Sequence, residues 1–248
     1  MWIQSHPKYF SSLALKSKVI AGPGLPAPLT WQFDYGIASP SWAHECGVNC
    51  VTTKNVSITG PEKLVRYTFS TKYAESEGKL LKRETGVNAA NILATETMDY
   101  QWSAAGLAYP AWVGSSPMMR TDGMSGKQVP QRSSTIVQNG RSFSWYVAAA
   151  DFDKFARPLK TTRTSNLSGA SQRVDKVEYH DDLGNWVLGQ IKKRICYSTT
   201  ATGTGCSNTT VAQTSYDPAT ALPLSRWSYG QLVQTLTWDT TSSLASGQ

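Results

Sequence analysis

Asp181 and Asp182 stand next to each other, three residues beyond Glu178. Paired carboxylates can divide the work of a general acid and a general base. Here they run straight into Leu183-Gly184-Asn185, where a turn is needed. An Asp side chain closes turns by accepting backbone N–H bonds, and that role fits the position better. The chain has three histidines, His6, His44 and His180. None lies in a nucleophile motif, and no Gly-x-Ser-x-Gly elbow is present. His44-Glu45-Cys46-x3-Cys50 has metal-ligand types but lacks a fourth ligand at a zinc-finger spacing. No glycine-rich phosphate loop follows a strand. The expectation is a chain without catalytic, cofactor-binding or metal-binding residues.

The four cysteines form two local pairs, Cys46 with Cys50 and Cys196 with Cys206. The second pair brackets a loop rich in Ser, Thr and Gly. A disulfide there would restrict that loop, worth roughly 2–3 kcal/mol, and would imply an oxidising destination. Free thiols fit either pair equally well. The net charge is +7 and the pI about 9.2. Basic residues come in short groups such as Lys192-Lys193-Arg194, not in a long run. A solvated basic surface is expected, and nucleic acid is not the expected partner. No run of about 20 apolar residues exists to span a membrane. The opening residues, Met1-Trp2-Ile3-Gln4, do not read as a signal peptide. That predicts export by another route, or a chain that lacks its true N-terminus.

The elements that must position these residues are strands. Nine Trp and eleven Tyr, with frequent Thr, Ser and Val, favour β-structure. Asn139-Gly140 separates Ser133–Gln138 from Arg141–Val147 and predicts a type I′ hairpin. In the second arm Phe143, Trp145 and Val147 alternate with Ser142, Ser144 and Tyr146, which predicts one buried face. Gly60-Pro61-Glu62-Lys63 predicts a second hairpin, between 51–59 and 64–69. Further strands are expected at 79–85, 92–102, 159–164, 173–179, 186–197, 209–216, 224–229 and 231–238. Residues 1–50 read as an irregular N-terminal segment with at most a short strand at Trp31–Tyr35. Residues 103–130 read as loop. The fold class is all-β, built from stacked antiparallel hairpins over 51–248.

A repeat is clearest in 151–248. Phe152-Asp153 leads to Arg157-Pro158, Tyr179-His180-Asp181 leads to Gly184-Asn185, and Tyr216-Asp217 leads to Pro223. Trp238-Asp239 follows. The aromatic positions lie 27, 37 and 22 residues apart, and removing 196–210 turns 37 into 22. Each unit reads as a strand ending in an aromatic, an Asp that closes the turn, and a Gly or Asn able to take positive φ. One unit cannot bury its own apolar face, so copies must stack.

This pattern resembles the Tyr-Asp-x-x-Gly-Arg/Asn repeat of bacterial Rhs/YD-repeat proteins. The copy at Tyr179–Asn185 is close. Ala156 replaces the Gly in the first copy, and the Tyr216 copy lacks it. The resemblance implies an open, curved β-sheet, the wall of a shell that encloses a toxin for delivery to competing or host cells. It implies a secreted or cell-surface protein of bacteria that acts by enclosure, not catalysis. Its partners would be the remaining repeats of a shell or another copy, joined through open sheet edges, and a toxin cargo. Neither a toxin nor the family's aspartate-dependent cleavage motif is found, so the chain reads as wall without cargo. The alternative expectation is a carbohydrate-binding β module that stacks sugar rings on Trp102, Trp112, Trp227 and Tyr229.

Overall fold

The computed structural model describes residues 13–37, 46–72, 75–102, 105–114, 125–199 and 205–239, with backbone alone at 112–114 and 125–127. The chain is all-β. Its strands come as consecutive antiparallel hairpins. The first three are β1 (Ser17–Ile20) with β2 (Leu29–Asp34), β3 (Thr53–Thr59) with β4 (Leu64–Ser70), and β5 (Leu80–Asn88) with β6 (Asn91–Tyr100). β7 (Trp112–Gly114) and β8 (Ser125–Lys127) form a separate two-stranded ribbon. β9 (Gln131–Gln138) and β10 (Arg141–Tyr146) follow, then β11 (Lys160–Ser165) with β12 (Arg173–Asp182). The last pairs are β13 (Val187–Thr199) with β14 (Ser207–Tyr216), and β15 (Pro223–Ser228) with β16 (Gln231–Thr235). Fourteen strands join one open sheet in chain order, skipping only β7 and β8. Two compact units divide at Ser144/Trp145.

Local chemistry explains the hairpins. Asn139 and Gly140 both take positive φ, 51° and 70°, as a type I′ turn requires. The Gly60–Lys63 turn closes with Gly60 N–H donating to Lys63 O at 2.9 Å. The segment read as irregular contributes two strands, β1 and β2. The proline-rich stretch 21–28 is the tip between them. Every β1 residue is exposed, so the period-2 pattern that marks a half-buried strand is absent there.

The buried-face reading of β10 is corrected by the structure. Val147 is 1% exposed as expected, but Phe143 on the same face is 45% exposed; Tyr146, on the opposite face, is 42% exposed. Among the described residues, ten hydrophobic side chains are buried, with Phe152 and Val147 the most completely enclosed. Many others stay open, including Leu232 and Val233 on β16. Buried charge is paired: Glu84 accepts from Arg66 Nε at 2.7 Å and meets Lys82 Nζ at 3.2 Å. The Arg66 bond holds the Glu84 carboxyl below the usual carboxylate range. No described helix is long and apolar enough to cross a membrane.

Cys196 on β13 is bonded to Cys206, the residue just before β14, and Cys46 to Cys50. The Cys196–Cys206 link closes a short loop, so its reduction lowers stability by about 2–3 kcal/mol. Melting the protein with and without dithiothreitol checks this. Equal midpoints, with reduction verified by thiol titration, would contradict it.

Candidate functional site: the clasped hairpin ends

A β-hairpin is held by its turn at one end and frays at the other. In this chain the open ends are fastened by side chains. In the first unit, Tyr35 donates its hydroxyl to Leu15 O at 3.2 Å and Thr71 donates to Val51 O at 2.6 Å. Tyr100 donates to Leu80 O at 2.7 Å. In the second unit, Tyr179 donates to Pro158 O at 3.1 Å and Tyr216 to Ile191 O at 2.9 Å. Trp238 Nε1 donates to Pro223 O at 2.7 Å. Each donor sits near or just beyond the end of a hairpin's second strand, with Tyr179 three residues inside β12. Each acceptor sits at or near the start of its first. Donor and acceptor are 15 to 25 residues apart in sequence. The hydrogen bond selects Tyr or Trp over Phe, because only they carry a polar handle on a wide apolar body. Burial raises the pKa of the Tyr100 and Tyr179 hydroxyls, which keeps both protonated as donors.

In the second unit the chain crosses from one hairpin to the next through aspartate turns, the first of them beside Phe152, which carries no side-chain donor. Asp153 Oδ1 accepts N–H from Phe155 and from Arg157, both at 2.9 Å. Asp153 N–H in turn donates to Arg157 O, and Phe152 bridges to Pro158. Asp217 Oδ1 accepts from Ala219 and Thr220 at 2.8 and 2.9 Å, and Tyr216 pairs with Pro223. In the middle copy the turn carboxylate is Asp182, not Asp181. Asp182 accepts from Asn185 N and Nδ2 at 2.9 and 2.8 Å. These N–H donors hold the Asp182 and Asp217 carboxyls below their ordinary range.

Asp181 has a different task. It takes both arms of Arg157 at 2.7 Å and accepts the N–H of Gly189 at 2.9 Å. Arg157 Nε reaches back to Asp153 Oδ2 at 2.7 Å. The guanidinium lies over the rings of Phe155 and Tyr179, with centroids at 4.8 and 4.2 Å. One planar cation therefore joins two successive turns and stacks on two aromatic rings. Its bonds to Asp181 and Asp153 raise the Arg157 pKa. The Arg157 fork holds the Asp181 carboxyl down at about 2.

Among the motif residues read from the sequence, the second unit brings Asp153, Arg157, Tyr179 and Asp181 into direct contact. Phe152, Tyr216 and Asp217 occupy the neighbouring turns. Gly184 departs from its expected part: the left-handed residues of the three turns are Ala156, Trp186 and Ala221, at φ 61°, 55° and 57°. The middle turn is set by Asp182, which moves the left-handed position beyond Gly184 and Asn185. A non-glycine residue there costs of order 1–3 kcal/mol. Trp186 is 72% exposed and has little packing to lose. Trp186→Gly is therefore expected to raise unfolding stability by about 0.5–1 kcal/mol. Gly184→Ala is expected to stay within about 0.5 kcal/mol of the parent. Urea titrations of both variants check the pair.

Sequence reasoning missed the clasps of Tyr35, Thr71 and Tyr100. Tyr100 is followed by Gln101, whose N–H donates to Pro130 O at 2.8 Å, and Tyr100 pairs with Gln131. This is the junction of Tyr216-Asp217 with Leu222-Pro223, opened by a long excursion that carries β7 and β8. The closing prolines Pro130, Pro158 and Pro223 were a usable signal. Of the aromatics considered for sugar stacking, Trp102 is 41% and Tyr229 72% exposed. Trp227 is half-buried, and the Trp112 side chain lies outside the described residues. His6, His44 and Glu45 also lie outside them. Among the described residues, no group of three or more His, Cys, Asp or Glu could hold a metal ion.

No protein-family model matches this chain, and no curated protein matches it. A solved structure does. The crystal structure of TcdB2-TccC3 contains a chain that aligns with 86% of this one at a TM-score of 0.50 and 9% identity. That likeness is one of fold. It covers 16% of the longer chain, so this chain spans about one sixth of its structural relative.

Proposed function

We propose that this chain is a wall segment of an Rhs-type shell, acting by enclosure and carrying no catalytic step of its own. The observation that supports the reading most is the repeated clasp: hairpins in both units are fastened at their open ends, and those clasped by Tyr179 and Tyr216 pass on through an aspartate turn. Such a device extends a sheet indefinitely and leaves both end strands able to pair again. The end strands β1 and β16 carry open apolar residues, Val19, Leu232 and Val233 among them. The fold likeness to a small part of a far longer chain agrees with a segment of a larger wall. In this reading the protein is bacterial, secreted or held at the cell surface, and its partners are further repeats, another copy and an enclosed toxin.

The test is the solution mass of the purified chain by size-exclusion chromatography with light scattering. The wall reading expects concentration-dependent oligomers that disappear when β16 is shortened or given charged residues. A stable monomer at all concentrations, with both edges intact, would overturn it. That outcome would favour the carbohydrate-binding module instead.

A further inference from the structure

Within the second unit, one sheet face carries an arrangement that neither the clasps nor the turns require. Arg163 on β11 and Arg173 on β12 are direct cross-strand partners. Like charges placed opposite one another destabilise a sheet. They are tolerated here because Asp175 bridges both: Arg163 Nη1 bonds to its Oδ2, and Arg173 Nη2 lies 2.8 Å from its Oδ1. The two arginine side chains remain 57% and 51% exposed. Arg194 on β13 pairs with Val177, two residues beyond Asp175, and makes no ion pair among the described residues. Two adjoining depressions of about 450 and 440 Å³ lie along this face. Arg173 and Val211 line both, and Asp175 is the carboxylate among their described lining residues. At the far end stands Tyr229, 72% exposed and at φ 48°. The two-residue turn with Gly230 at φ 79° sets that backbone, but it does not call for an aromatic ring left in solvent.

We propose that this groove binds an acidic polysaccharide, one whose sugar rings carry carboxylate or sulfate groups. The arginine forks at Arg163, Arg173 and Arg194 can each present two N–H donors to a pair of carboxylate or sulfate oxygens. One aspartate between three arginines leaves an excess of positive charge for the ligand. The Tyr229 ring, which lines the second depression, offers an open stacking surface. The floor is shallow and spans β11 to β14 across the strand direction. The described residues lining both depressions are mostly polar or charged, so an extended saccharide fits better than an acidic polypeptide. The inference does not depend on the wall reading.

The test titrates the full chain with a heparin hexasaccharide, a hexagalacturonate and a hexaglutamate peptide at about 0.15 M salt. At least one saccharide is expected to bind with Kd below about 100 µM. The double variant Arg163→Gln/Arg194→Gln, which leaves Arg173 on Asp175, should weaken that binding about tenfold or more. The charge-matched variant Lys16→Gln/Arg141→Gln should stay within about twofold. Unchanged melting of each variant ensures that a loss reports the groove. The proposal is overturned by binding to neither saccharide, by equal losses in the two double variants, or by tighter binding of hexaglutamate.

Discussion

Arg157→Ala is expected to cost about 3–5 kcal/mol of unfolding free energy. The guanidinium touches Asp153 and Asp181 and lies against two aromatic rings, and all three charged side chains are at least four-fifths buried. Truncation leaves two carboxylates facing each other with their partner gone. Arg157→Lys should recover little, because an ammonium cannot span both carboxylates in the plane of the rings. Asp181→Asn should cost less than Arg157→Ala, because Arg157 keeps Asp153. The penalty also has a pH signature. The folded Asp181 carboxyl is depressed to about 2, below its ordinary 3.8. Its contribution is therefore complete above about pH 4 and lost as pH falls through about 2. The gap between parent and Arg157→Ala should be full at pH 7 and narrow steadily between pH 4 and 2. Urea denaturation across that range checks both parts. A gap below about 1 kcal/mol at pH 7, or one that widens in acid, would refute the clamp.

Phe152→Ala is expected to be nearly as damaging, at about 3–4 kcal/mol. Phe152 is 1% exposed, in a sheet where most large apolar side chains are partly open. A deep cavity cannot be refilled when so few neighbours are fully enclosed. Phe152→Leu should recover more than half of the loss. Phe143→Ala serves as the control: Phe143 is 45% exposed and should cost under about 1 kcal/mol. If the two alanine variants melt together, burial at Phe152 is not what holds the turn.

The sequence showed the strands where periodicity or turn chemistry was strong. Asn139-Gly140 and Gly60–Lys63 located their hairpins because positive φ and proline restrict the backbone whatever surrounds it. The Asn88–Asn91 turn went unseen. Its signal is a side chain: Asn88 Oδ1 accepts N–H from Ala90 and Asn91 at 3.0 Å. β1 was invisible because exposed strands have no hydrophobic alternation. The aromatic-Asp repeat was legible as a spacing, but its two jobs were not. The spacing of aromatics reflects the length of a hairpin, since the donor must return to the carbonyl where its own hairpin began. Which of Asp181 and Asp182 closes the turn depends on where Arg157 reaches, a contact 24 residues away in sequence.

The junction at Tyr100 and Gln131 has a practical corollary. The backbone leaves the sheet after Tyr100 and returns at Gln131, in register, whatever the intervening stretch contains. The cost of closing such a detour grows only with the logarithm of its length. The clasp at Tyr100 looks backward to Leu80 and takes nothing from the detour itself. That detour is therefore a grafting point. A reporter domain or epitope inserted between Ala105 and Gly106, both exposed within the detour, should leave strand pairing on either side intact.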